Sequence, residues 1–184
     1  MKYCFRMIYL LMFASMLFSC SSPPRPQIPQ FPEWPEWPAQ KEAIQIRLKA
    51  TPDAHLFEGK PHPLLICLYQ LKDLNAFDQL ADYEEGLSKL LDCDLFDASV
   101  LRVKRYHIQP GDTVKDVRNR AQGAKHVAVV AGYRLRERDR MVRIFDIPMV
   151  EEGTGYTKIR KILRPDILYI DLELGPHQIR SSSN

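Results

Sequence analysis

Five histidines, four cysteines and a run of arginines carry the reactive side chains of this 184-residue chain. The histidines are His55, His62, His107, His126 and His177. A nucleophilic site needs such a base within hydrogen-bond reach of a hydroxyl or thiol. None of the five sits in a Gly-x-Ser-x-Gly, His-Glu-x-x-His or Cys-His context, so no catalytic motif is present. His55 and His62 lie seven residues apart in one segment, open to a metal site but more simply two solvated loop side chains. Gly153-Thr154-Gly155 is too short to cradle a phosphate. Glu84 and Glu85 would point about 100° apart on a helix, which suits a solvated face better than a carboxylate pair. Arg134, Arg136, Arg138, Arg140 and Arg143 alternate with Glu137 and Asp139. They read as a solvated hairpin or as a contact for an acidic protein. No enzyme, metal or dissociable cofactor is expected.

Cys20 has a more definite chemistry. It follows Leu17-Phe18-Ser19, at the end of an apolar run from Met7 to Phe18 that Lys2 and Arg6 precede. That is a secretory leader, with a core too short to span a bilayer. A cysteine after the small Ser19 resembles a lipobox, although Phe18 is bulkier than the usual residue. The chemistry predicted is thioether attachment of diacylglycerol to Cys20, cleavage before it, and acylation of the new amine. At about 0.8 kcal/mol per buried methylene, two or three chains make a durable anchor. Ser21, where an aspartate would otherwise direct retention, favours the outer membrane of a Gram-negative cell. A plain secretory signal with a chance cysteine is the alternative. Cys4 leaves with the leader, so Cys67 and Cys93 remain. They read as two buried free thiols; a disulfide stays open, since the sequence does not place their Cα atoms.

The charge balance fits such a protein. There are 26 basic and 23 acidic residues, 45% hydrophobic residues and a mean hydropathy of −0.30, which exclude a multi-pass membrane protein and a wholly disordered chain. Removing residues 1–19, with two bases and no acid, takes the net charge from +3 to +1. A nearly neutral mature chain gives no reason to expect nucleic-acid binding.

The elements that must hold these groups begin with a proline rod. From Pro26 a proline recurs every third residue, at 26, 29, 32, 35 and 38. Polyproline II has three residues per turn, so these prolines share one edge. Ile28, Phe31, Trp34 and Trp37 share a second edge, and Gln27, Gln30, Glu33 and Glu36 the third. The rod would hold a domain up to ~50 Å from the bilayer. Its aromatic edge either packs on the domain, lies at the headgroups, meets a partner, or stacks on its own prolines.

Beyond the rod, short apolar segments alternate with turn signals, which predicts a β-sandwich. Strands are expected at Ala43–Ala50, Leu64–Leu71, Val100–Ile108, His126–Tyr133, Met141–Ile147 and Ile167–Leu174. A helix capped by Asn75 is expected over Phe77, Leu80, Leu87, Leu90 and Leu91, weakened or split at Gly86. Gln109-Pro110-Gly111-Asp112 is a turn. Residues 51–63 and 151–165 read as loops, and the serine-rich tail after Arg180 as frayed. The expected organisation is leader 1–19, lipidated cysteine and tether 20–41, sandwich 42–176 and tail 177–184.

One ordered set of segments points to a family. Leu68-Tyr69-Gln70-Leu71-Lys72-Asp73 followed by Phe77, the Ala81-Asp82-Tyr83 step, the Pro110-Gly111-Asp112 turn and Val129-Val130-Ala131-Gly132-Tyr133-Arg134 come in sequence. With the lipobox they resemble the type VI secretion lipoproteins called TssJ or SciN, over about Ile44 to Leu174. The resemblance implies a mainly β, transthyretin-like sandwich of two sheets with a short helical excursion after the second strand. It implies an outer-membrane lipoprotein that tethers the periplasmic part of TssM and meets other membrane-complex proteins. The loop between the first two strands would make that contact, which by position places Asp53, His55, Leu56, Phe57, Glu58, Gly59 and Lys60 at the interface. Leu56 and Phe57 are either exposed anchors or side chains tucked back onto the sandwich. A pilotin-like lipoprotein of another envelope machine and a periplasmic glycan-binding module are the rival functions.

Overall fold

The computed structural model describes residues 37–154 and 160–181. Cys20, Ser21, the leader, the rod as far as Glu36, and Gly155 lie outside the described residues.

Two four-stranded sheets face each other. The first contains β1 (Gln40–Ala50), β6 (Thr113–Arg120), β11 (Leu168–Leu174) and β12 (Ile179–Ser181), in the order β12-β11-β1-β6. The second contains β4 (Leu64–Leu71), β5 (Val100–Ile108), β7 (His126–Ala131) and β8 (Val142–Asp146), in the order β5-β4-β7-β8. In β1 the alternation is decisive: Ile44, Ile46 and Leu48 are buried, while Arg47 and Lys49 are exposed. β1 runs parallel to β11, from Ile44 beside Leu168 to Ala50 beside Leu174, and antiparallel to β6. Across the interior, Tyr106 Oη donates to Asp116 Oδ2 at 2.7 Å. Gln70 also joins the sheets: its Nε2 donates to the Asn119 carbonyl at 3.0 Å and its Oε1 accepts from Ala121 N at 2.7 Å.

β4 is buried along nearly its whole length, as its unbroken apolar run requires. One face meets the first sheet. The other lies under the helical excursion, α1 (Asn75–Ala81) and α2 (Glu84–Leu90). Tyr69 sits there between Phe77 and Phe96, with ring centroids 6.0 and 5.6 Å away, and its hydroxyl donates to the Leu90 carbonyl. Cys67 and Cys93 form a disulfide across the same layer. The expectation of two free thiols is therefore corrected: the turn after α2 folds Cys93 back over β4, with Cα atoms 5.3 Å apart.

Several boundaries also differ from expectation. The residue before α1 is Leu74, and the Asn75 backbone N–H instead donates to Asp73 Oδ1 at 3.2 Å. The helices part at Asp82–Tyr83, before Gly86. Gly86 serves a close approach: a Cβ there would stand 2.0 Å from the Leu80 carbonyl oxygen. Thr113–Arg120, assigned to no element from the sequence, is β6. The turn at 109–112 carries the chain from one sheet to the other. The expected loop 151–165 contains a hairpin, β9 (Met149–Thr154) against β10 (Arg160–Pro165). β12 adds residues 179–181 to the first sheet, beyond the expected domain end at 176. In the arginine stretch, α3 (Arg138–Met141) brings Arg138 against Asp78 of α1 and Asp82 just after it, so this side chain is an internal tie.

Candidate functional site

β1 connects two poles. At its start, the Trp37 carbonyl accepts from Gly123 N at 2.8 Å and the Pro38 carbonyl from Arg120 Nη2 at 3.0 Å. Trp37, last of the aromatic edge, packs against the core. Arg120 is 1% exposed, and loss of water pulls its guanidinium pKa below the ordinary value. At the far end of β1, about 33 Å away for eleven strand residues, the chain enters the segment from Thr51 to Pro63.

That segment is stitched to the sandwich by its backbone. Thr51 N and Oγ1 both donate to the Leu174 carbonyl, at 3.0 and 3.1 Å. His55 N reaches the Gly175 carbonyl at 3.2 Å and Leu56 N the Pro176 carbonyl at 2.9 Å. Within it, β2 (Leu56–Phe57) pairs with β3 (Lys60–Pro61). Glu58 and Gly59 fill the two-residue turn with φ of +50° and +73°, the double positive that suits a tight hairpin. The sequence reading treated these residues as irregular loop; the glutamate in place of asparagine hid the turn signal.

The side chains build an aromatic pile. His55 lies 6.1 Å from both Tyr133 and His62, and His62 5.9 Å from Phe57. The Arg134 guanidinium covers the Phe57 ring, 4.0 Å from its centroid. Nδ1 of His55 bonds the Pro63 carbonyl at 3.0 Å, and Nδ1 of His62 the Lys60 carbonyl at 2.9 Å. Tyr133 Oη donates to the Gly175 carbonyl at 3.1 Å, and burial pushes its pKa well above the ordinary phenol value.

Leu56 and Phe57 thus stand between the two expectations. Both are half-buried, each with a face still in water. Asp53, Glu58, Gly59 and Lys60 are exposed around them, and His55 is half-buried. Beside the hairpin is an open cleft of about 370 Å³, lined by His55, Leu56, Tyr133, Arg134, Leu135, Pro176 and His177. Leu135 is 51% exposed on its rim. Of the expected residues only His55 and Leu56 line the cleft, with a second wall from 133–135 and a third from 176–177. Those walls were missed because they lie far off in sequence; the Gly175-Pro176 turn was the available signal. Among the described residues, no three His, Cys, Asp or Glu side chains gather in a way that could hold a metal.

A two-sheet sandwich that presents a cleft and a stacked hairpin at one pole belongs to the class of two-sheet β-sandwich domains. A family model of type VI secretion lipoproteins, described as VasD, EvfM, TssJ and VC_A0113, matches residues 42–167, and the chain belongs to that family. Solved structures repeat the fold. The T6SS lipoprotein TssJ1 from Pseudomonas aeruginosa is 22% identical with a TM-score of 0.55, over 77% of this chain and 96% of that one. A chain in a structure described as the TssM C-terminal domain (869–1107) from EAEC is 19% identical, with a TM-score of 0.54, over 77% and 98%. Serratia marcescens Lip, a membrane-bound component of the type VI secretion system, is 18% identical with a TM-score of 0.53, over 77% and 97%. No curated protein matches the sequence.

Proposed function

We propose that this chain is the outer-membrane lipoprotein of a type VI secretion membrane complex, and that its loop pole holds the periplasmic part of TssM. One observation carries the reading: the tether arrives at one end of β1 and the candidate loop leaves from the other. An anchor at Cys20 and a partner at the hairpin would then sit on opposite poles, joined by a central strand. The disulfide adds support, because such bonds persist in oxidising compartments such as the periplasm.

The EAEC structure adds support for the partner. A chain in that structure, described as the TssM C-terminal domain (869–1107), has the fold of this protein. The acyl chains then supply membrane retention and the loop pole supplies partner choice, with no reaction catalysed.

The test replaces Leu56 and Phe57 together by Asp and measures TssM binding by calorimetry. The expected result is at least a tenfold loss of affinity with an unchanged melting temperature. Unchanged affinity would move the interface elsewhere. Cys20→Ser should separately release the protein from membranes; retention in the outer-membrane fraction would remove the anchor.

A further inference from the structure

β5 ends one sheet and β6 ends the other, and the turn at 109–112 joins them. Among the described residues each has a strand neighbour on one side only, so two open edges run along the same flank of the sandwich. Two contacts close the seam between them. Tyr106 and Asp116 close it near the loop pole, and Gln70 with Asn119 and Ala121 closes it near the tether.

Between the closures lies an open cleft of about 290 Å³. Arg102, Lys104 and Arg118 line it together with Leu68, Leu101 and Val103. Register explains why the basic groups converge. Arg102 pairs with Gln70 and Lys104 with Leu68, so both share the face that Gln70 turns toward the first sheet. Arg118 pairs with the buried Ile44 and so faces inward from the other side.

Their charges are poorly balanced within the chain. Neither Arg102 nor Lys104 has a carboxylate at ion-pair distance among the described residues. Lys104 Nζ lies 5.7 Å from the Tyr106 ring centroid, while Arg118 sits 3.7 Å from an Asp116 oxygen that also receives the Tyr106 hydroxyl. The acid on the cleft wall is the exposed Asp94. Charges on edge strands commonly discourage strand addition, a barrier that a segment of opposite charge does not meet. Like charges gathered at one cleft, two of them without a carboxylate at ion-pair distance among the described residues, weaken the fold unless counter-charge arrives from outside.

We infer that this cleft takes an extended acidic segment of a protein partner, added as a strand along the free edge of β5, with alternate carboxylates meeting Arg102, Lys104 and Arg118. The spacing favours a strand over a compact anion. Arg102 and Lys104 are two residues apart on one face, about 7 Å, which is the repeat of same-face side chains in a paired strand. Val103, on the other face of β5, offers apolar contact to the alternate side chains of such a strand. The surface is separate from the loop pole and stands whether or not that pole holds TssM.

The experiment uses the mature lipoprotein in neutral phosphatidylcholine nanodiscs and a fluorescein-labelled peptide of alternating Glu and Val. Anisotropy should show saturable binding that weakens steeply with salt. The matched Gln–Val peptide should bind at least tenfold more weakly, and so should a Glu–Val peptide N-methylated along the edge that faces β5. Arg102→Glu with Lys104→Glu should abolish binding at an unchanged melting temperature, and the milder Arg102→Gln with Lys104→Gln should weaken it at least threefold. Leu56→Asp with Phe57→Asp should leave it unchanged. Equal binding of the Gln–Val peptide, or indifference to charge reversal, would overturn the inference. So would displacement of the peptide by phosphatidylglycerol placed in the nanodiscs, which would make the cleft a lipid site.

Discussion

Cys67, at the centre of β4, is bonded to Cys93, which follows α2 at a φ of +52°, 26 residues later. The bond fastens the helical cover to the most deeply buried strand. Tyr69 and Phe77 fill the space beneath that cover, so the disulfide holds closed a layer that is itself core. Neither cysteine lines the loop-pole cleft.

Reduction should therefore weaken the fold and spare the loop pole. Closing a loop of this length limits the unfolded chain by about 3 kcal/mol. The double variant Cys67→Ser with Cys93→Ser should lose about that much in urea unfolding, with partner affinity unchanged. A variant as stable as the parent would show that the bond is not formed in the native protein.

Gly86→Ala reverses an ordinary rule. Alanine in place of glycine within a helix normally gains about 1 kcal/mol. Here the added methyl would meet the Leu80 carbonyl at 2.0 Å, and backbone cannot step aside as a flexible side chain can. The expected result is a net loss of about 2 kcal/mol or more, read from the urea midpoint. A stabilised variant would show that the two helices do not pack this closely.

Much of the sandwich was legible because periodicity reports burial directly. β1 alternates, β4 is apolar on both faces apart from Gln70, and both lie within a few residues of expectation. β6 was not, because its apolar residues Val114 and Val117 fall on opposite faces and its inward positions include Asp116, Arg118 and Arg120. Those side chains are tolerated by partners from the second sheet and from the tether, which no local pattern encodes. β12 is three residues long and gains strand geometry only by pairing with β11. The loop pole was half legible. Residues 53–60 were named from position, yet Tyr133, Arg134 and Pro176 reach them through folding alone. The disulfide likewise depends on a chain reversal that spacing does not reveal.

The hairpin turn offers a stabilising change. Glu58 holds a φ of +50°, which costs a residue with a Cβ about 1–2 kcal/mol, less for asparagine. Glu58→Asn should raise stability by up to about 1 kcal/mol while keeping the β2–β3 pairing. Slower amide exchange at Phe57 and Lys60 would accompany it. A destabilised variant would mean that the Glu58 carboxylate makes a contact the turn depends on.

Alkaline pH should loosen the protein through three buried tyrosines. Tyr69, Tyr106 and Tyr133 are at most 9% exposed, and each hydroxyl donates to an acceptor, Leu90 O, Asp116 Oδ2 and Gly175 O respectively. Burial is the largest cause raising each pKa above the ordinary value near 10. The folded chain keeps these protons where the unfolded chain releases them. Their stabilisation is fully present below pH 10 and is lost as pH rises from there through the raised folded values, by up to about 1.4 kcal/mol per pH unit for each group. Exposed lysines titrate in the same range, so the informative quantity is a difference between variants. Tyr106→Phe should flatten the fall of the urea midpoint between pH 9.5 and 11 by about one group's share. If parent and variant lose stability in parallel across that range, Tyr106 carries no raised pKa and its contact with Asp116 does not close the seam in solution.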